Sequence, residues 1–431
     1  MPNPATPSTV KEMILGSVRN RADGECDSID SKHELDIRQV TENSDRYLRG
    51  LYYPVTIGEV MIGRYRIEHK LGHGDSSTVW MARDKRGRKD VAIKIMTPGW
   101  LGEREYHSQA EISRAVPHVC NHVTFIDTFL LPGSHQSHRV FVLSLQGPNL
   151  RDFASRKSIA IRVLTAAQLL QALKCLHDGG FVHRDLKSTS IMYSLRSLEN
   201  CSATAKSNFL GHPQRIPLIS TLWKKGELVR PMTPHKSLVG DEVSLGDFGL
   251  AIRADISVAQ KVQSHAIYCA PERFHNSNPS YASDMWSYMC LLAELYSGRP
   301  LFHGSSNASV VSSMVNVLGP LPASWKDSYN AGDACDYTWY DPDLRPKPAM
   351  TLEARIARLH PDINTSERLL MVSVLQKGLS YLPEERPTAT QLLKDASFRA
   401  IVQTYGNLDL ISALHSTNEV SSSHGFSMAE E

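Results

Sequence analysis

The 431-residue sequence predicts an α+β chain of two lobes, a small antiparallel-sheet lobe with one helix and a larger, mainly helical lobe. Three patterns carry that expectation. Short apolar-rich runs at residues 65–71, 77–83 and 90–96 follow one another through Gly-containing turns, as antiparallel hairpins do. A helical stretch over residues 101–116 and a strand over residues 140–145 complete this lobe. Beyond it the period changes: Leu169, Leu173 and Leu176 recur at i, i+4 and i+7 within residues 162–177, which aligns them on one buried helix face.

These elements place a domain over residues 46–400, its small lobe at about 60–147 and its large lobe at about 148–400. Residues 193–238 interrupt the large lobe with polar, Pro-containing sequence too long for a structureless loop, and read as an insertion. Residues 1–45 are polar and weakly patterned, so a mobile arm is expected, with a short docked amphipathic helix as the alternative. Residues 401–431 form a tail whose Ser-rich, acidic end, residues 416–431, is expected to be disordered.

A net charge of +2 supplies no global basic field, so direct nucleic-acid binding is not expected. The seven cysteines are scattered without a CxxC pair, which disfavours a metal ribbon and fits a reduced compartment. No run approaches eighteen apolar residues, and the start of the chain carries Asp23, Glu25 and Asp27 without an apolar signal core. The expectation is a monomer, cytoplasmic or nuclear, with no membrane span.

Chemistry enters with five short segments. Leu71-Gly72-His73-Gly74-Asp75-Ser76-Ser77-Thr78-Val79 joins two strands, and its glycines let backbone amides approach phosphates. Val91-Ala92-Ile93-Lys94 carries an ammonium on an apolar strand, where a buried lysine needs an anionic partner; Glu105 and Glu111 both lie on the following helix. His183-Arg184-Asp185-Leu186-Lys187-Ser188-Thr189-Ser190 offers a carboxylate for a substrate hydroxyl, a cation for a phosphate and, at Ser190, a neutral oxygen for a metal. Asp247-Phe248-Gly249 follows the apolar strand at 243–245 and supplies a second carboxylate for magnesium. Glu272 of Ala270-Pro271-Glu272 needs a cation if buried, and Arg386 is the candidate for a bidentate pair.

In this order the segments resemble a eukaryotic protein kinase over residues 65–400. The resemblance implies ATP and Mg2+ in the cleft between two lobes. It implies Asp185 and Lys187 as catalytic residues, Leu71, Gly72, Gly74, Val79, Ala92, Lys94, Glu105 and Leu145 around the nucleotide, and Asp247 and Ser190 at the metal. Asp284 then buttresses the catalytic loop. Tyr53-Pro54-Val55, Ile57-Gly58-Glu59, Gly63-Arg64-Tyr65 and Ser77-Thr78-Val79-Trp80 are more closely similar to the fungal branch of the SR-protein kinases. Those enzymes phosphorylate Arg-Ser-rich proteins and carry a spacer where residues 193–238 stand. The likeness favours Glu105 over Glu111 as the partner of Lys94.

Five positions depart from the pattern: Ser77 replaces the third loop glycine, Ser190 the metal-binding asparagine, Ser144 an acidic hinge residue, Cys269 an arginine and His265 a threonine. The expected activity is a serine/threonine protein kinase acting on a protein substrate, with reduced activity if Ser190 weakens the metal site. The alternative is a pseudokinase that binds nucleotide and serves as an interaction module. Asp327, Asp333, Asp336, Asp341 and Asp343 offer an acidic stretch that suits an Arg-rich peptide, or a solvated loop.

Overall fold

The structure is a computed structural model, described for residues 31–117, 121–198, 201, 203–218, 222–259, 262, 265–361 and 363–406. The expectations for residues 1–30 and 416–431 lie outside the described residues. The chain begins with helices α1 (Ser31–Val40) and α2 (Asp45–Leu48), then strands β1 (Val60–Met61), β2 (Tyr65–Gly74), β3 (Ser77–Asp84) and β4 (Lys89–Met96). Helix α3 (Trp100–Ala115) and strands β5 (Phe125–Leu131) and β6 (His138–Ser144) complete the small lobe. Its six strands form one antiparallel sheet in the order β1-β2-β3-β4-β6-β5.

Register sorts the sheet's two faces. Val79 pairs with Lys94, while Trp80 pairs with Ile93 and Lys70, and cross-strand partners share a face. Trp80 and Ile93 join Val55, Tyr65 and Val142 in a buried core, leaving Val79 and Lys94 on the cleft side. Each such side chain contributes roughly 1.5–3 kcal/mol by leaving water. Gly102 lets α3 sit close to β6, because a Cβ there would lie 2.9 Å from that of Arg139.

Residues 31–45 are not a mobile arm. Ile37 on α1 packs with Tyr47 and Tyr52, and the other half of this small core comes from Ile216, Leu218 and Leu228 of the insertion. Glu42, between α1 and α2, pairs with the fully buried Lys70 of β2 and accepts from the Tyr47 hydroxyl. Burial works against the Lys70 charge and lowers its pKa, with Glu42 opposing that shift. The ammonium also lies 4.9 Å over the Trp80 ring.

The large lobe opens with α4 (Leu150–Phe153) and α5 (Ile159–Asp178), followed by β7 (Phe181–Val182) and β8 (Ile191–Leu195). The 20-residue α5 is long and apolar enough by composition to cross a membrane. Leu169, Leu170, Leu173 and Leu176 are instead buried in the lobe's core with Trp286 and Leu291. The insertion then contributes α6 (Ala203–Leu210) and the hairpin β9 (Arg215–Pro217) and β10 (Glu227–Val229). The chain returns through β11 (Val239–Leu245), antiparallel to β8, and β12 (Ile252–Arg253), antiparallel to β7. Although it leaves from the large lobe, the insertion is fastened to the small one. Glu227 N donates to Val55 O at 2.9 Å, Met232 N to Lys70 O at 2.8 Å, and Lys206 pairs with Asp90 at 2.7 Å.

The helices that follow are α7 (Pro271–Phe274), α8 (Tyr281–Ser297), α9 (Asn307–Leu318), α10 (Leu352–Leu359), α11 (Thr365–Gly378), α12 (Ala389–Lys394) and α13 (Ala396–Tyr405). Reciprocal Ser280–Ser283 bonds cap the start of α8, and Gly298, at φ +78°, ends it. The domain runs past residue 400, because Ile401 and Val402 on α13 are buried in the core. Residues 401–405 are thus the end of a packed helix and not tail. Among the described residues Cys201, Cys269, Cys290 and Cys335 are free.

Candidate active site

The β2–β3 hairpin presents Gly72 opposite Val79 and Gly74 opposite Ser77. A Cβ built on Gly72 or Gly74 would meet nothing within 4 Å, so the loop faces open space. Ala92 is buried in β4. Leu71 and Leu145 are partly buried and pack against a cluster of Met81 with Leu198, Leu210 and Leu238. Three of those four residues come from the insertion, which therefore helps close the side of the cleft where the two lobes are joined.

Lys94 Nζ donates to Glu105 Oε1 at 2.7 Å and Oε2 at 2.9 Å, and lies 3.4 Å from Asp247 Oδ1. Burial works against the ammonium, but the Glu105 and Asp247 charges outweigh it and hold its pKa above the ordinary lysine value. Glu111 is exposed on the far side of α3. Helix α3 is fixed by its contacts to the segment after Asp247. Arg104 Nε donates to Gly249 O at 2.8 Å and Ser108 Oγ to Ala251 O at 3.0 Å. A Cβ on Gly249 would come within 3.1 Å of Glu105 Oε2, so the glycine is what admits the carboxylate. Gln109, one turn on, donates to Glu105 Oε1 at 2.8 Å; only its i+4 spacing hinted at this role.

Phe248 is fully buried beside the rings of His183 and His122, with centroids 5.4 and 5.7 Å away. That anchor leaves Asp247 in the left-handed region (φ 62°, ψ 54°), a conformation costing about 1–3 kcal/mol that its surroundings must impose. The Asp247 side chain remains 43 % exposed to the cleft. Desolvation works to raise its pKa, but Lys94 and Lys187 outweigh it, so the group lies below its ordinary value and is held as a carboxylate.

The catalytic-loop segment leaves β7 through Arg184, at φ +71°. Asp284 of α8 secures that turn by accepting from His183 N at 2.7 Å and Arg184 N at 2.9 Å. His183 Nε2 meets Gly246 O at 3.0 Å, and its Nδ1 accepts from Asp185 N at 3.3 Å; together the two bonds assign the neutral Nε2–H tautomer. Asp185 pairs with Lys187, whose ammonium is also 3.9 Å from Asp247. The fully buried Ser190 hydroxyl donates to Asp185 O at 3.2 Å. Ser188 contacts Tyr268 at 3.0 Å, and Tyr268 donates to Glu294 at 2.7 Å, which ties this loop to the segment before Ala270.

Glu272 and Arg386 form the expected pair, at 2.9 and 2.7 Å, with both side chains buried. The remaining Arg386 donors reach the carbonyls of Ser380, Ala282 and Tyr381, and the guanidinium lies 5.0 Å over Trp286. Arg273, which the motifs did not single out, donates to Arg184 O at 2.9 Å and braces the same loop. Of the departing positions, Cys269 is buried, while Ser144 and His265 are exposed.

Comparison with known proteins agrees with this arrangement. The chain is 29% identical over 315 residues to a serine/threonine-protein kinase named SRPK from Physarum polycephalum, covering 66% of this chain and 74% of that one. It is 27% identical over 375 residues to a serine/threonine protein kinase of Aspergillus fumigatus, covering 82% and 89%. It is 25% identical over 383 residues to the serine/threonine-protein kinase AFC1 of Arabidopsis thaliana, covering 80% and 73%. The protein kinase domain model matches residues 65–398, and the chain belongs to the protein kinase family, with a modest likeness to an SRPK and to other serine/threonine kinases.

Proposed function

We propose that this chain transfers the γ-phosphoryl group of ATP to serine or threonine hydroxyls of a protein substrate, Arg-Ser-rich sequences among them. The observation that carries the reading is one continuous charge array: Lys94 on Glu105 and Asp247, and Lys187 on Asp185 and Asp247. Lys94 is set to hold nucleotide phosphates, Asp185 to orient and accept the proton of the incoming hydroxyl, and Lys187 to neutralise charge on the transferred group. The backbone at Gly72 and Gly74 has room for phosphates, and Leu71, Val79, Ala92 and Leu145 offer apolar surface to the base.

Magnesium, when bound, neutralises charge on the phosphates, and the residues fit it unevenly. Asp247 offers an accessible, ionised carboxylate. Ser190 offers one hydroxyl whose hydrogen is already engaged with Asp185 O, which leaves its lone pairs but on a short, buried arm. This observation favours a second reading, a nucleotide-binding interaction module with slow or no turnover. Ser190→Asn is expected to raise kcat several-fold at low Mg2+ and to lower the Mg2+ concentration needed for half-maximal rate. A magnesium titration of both proteins decides: coincident curves mean the serine is not what limits the native site.

The Arg-Ser preference draws support from the SRPK likeness and from the exposed Asp327, Asp336, Asp341 and Asp343. Asp333 contributes less, because it accepts from Ala308 N at 2.8 Å and also from the Tyr329 hydroxyl. Reversing Asp327 and Asp343 to lysine is expected to raise KM for an Arg-Ser peptide, with the effect fading at high salt. An equal change for a neutral peptide would retire these residues as a docking surface.

A further inference from the structure

The Gly-rich loop is held from outside by the segment that precedes the sheet. Tyr52 donates its hydroxyl to Gly74 O at 2.6 Å, and Arg46 Nη2 donates to Asp75 O. Arg46 Nη1 also lies 3.4 Å from the fully exposed Asp75 carboxylate, and its guanidinium stacks 4.7 Å over the Tyr52 ring. Thr97 N donates to Ser76 O at 2.8 Å, so three successive tip carbonyls, at Gly74, Asp75 and Ser76, are bonded. In a trans peptide the next N–H points opposite the carbonyl, and among the described residues no cis bond occurs. Fixing the Gly74 and Asp75 carbonyls thus fixes the Asp75 and Ser76 N–H groups. Neither of these donates to a backbone carbonyl among the described residues. The Glu42–Lys70 pair anchors the same segment on the Trp80 face of the sheet, opposite Val79 and Lys94.

We propose that Arg46 and Tyr52 are positioning residues that strap the Gly-rich loop from its outer face and aim the Asp75 and Ser76 amides at the nucleotide's terminal phosphates. The inference rests on the nucleotide reading given above. Arg46 also acts through its charge, since an aspartate at the loop tip repels phosphates and the neighbouring guanidinium offsets that repulsion. The strap is rigid because Tyr47 and Tyr52 are packed against Ile216, Leu218 and Leu228, so the insertion braces the loop through it.

The test compares MgATP and adenosine binding to the full chain, its Tyr52→Phe variant and its Arg46→Ala variant. Tyr52→Phe keeps the buried ring and removes one oxygen. Each variant is expected to bind MgATP about three- to tenfold more weakly, the worth of one hydrogen bond. Adenosine, which lacks phosphates, is expected to bind all three proteins equally, and KM for ATP to rise while KM for the peptide stays fixed. A general loosening of the fold would weaken both ligands together and overturn the proposal, as would unchanged MgATP affinity in both variants. If the unaltered chain binds MgATP no better than adenosine, the nucleotide reading of the cleft fails first, whatever the variants do.

Discussion

Replacing Asp185 with asparagine is expected to lower kcat by roughly 10²- to 10⁴-fold, the contribution of a positioned general base, while leaving ATP affinity near its original value. Asparagine keeps the shape of the side chain, and the backbone around it is secured independently. Asp284 holds the His183 and Arg184 amides, His183 Nδ1 holds the Asp185 amide, and Ser190 holds its carbonyl. What is lost is the acceptor for the hydroxyl proton and the charge that pairs with Lys187. Phosphate transfer to Arg-Ser and unrelated basic peptides, measured beside ATP binding, checks this. Equal turnover by the variant would remove Asp185 from the transfer step; absence of transfer in both proteins, with ATP bound, would favour the interaction module.

Which parts of this site were legible in the sequence follows from how local their causes are. The hairpins of the small lobe declare themselves because strand alternation and turn glycines act over a few residues, and the order of the charged motifs places Lys94, Asp185 and Asp247 in one cleft. Lys94 choosing Glu105 over Glu111 was legible only through resemblance, since both glutamates share a helix; the structure adds the reason, the close approach that Gly249 permits. Residues 31–45 looked like a mobile arm because α1 carries little apolar surface of its own. Ile37 becomes core only when Ile216, Leu218 and Leu228, far along the chain, fold over it. The burial of Lys70 has the same origin: its partner Glu42 sits in the segment that appeared unpatterned. Contacts of this kind have no period to detect. Ser190 is an intermediate case, visible as a departure in the sequence, yet with a hydroxyl whose engagement with Asp185 O only the fold discloses.

The Glu272–Arg386 pair carries the largest expected effect on stability. Arg386→Met is expected to destabilise the chain by about 3–5 kcal/mol, because it strands a carboxylate from which water is excluded. Glu272→Gln should cost less, since the amide can still accept one of the two guanidinium bonds, and the arginine keeps its bonds to Ser380, Ala282 and Tyr381. Removing both charges in Glu272→Gln with Arg386→Met is expected to recover part of the Arg386→Met loss, as no unpaired charge remains. Urea unfolding of the four proteins measures the coupling. A loss under about 1 kcal/mol for Arg386→Met is the range of solvent-exposed pairs and would contradict the buried geometry. The pair joins Glu272 of α7, at the end of the segment that Tyr268 ties to the catalytic loop, to the turn before α12. Its loss should therefore also lower turnover at temperatures where the variant is still folded, because Ser188 and Asp185 are held from that same side.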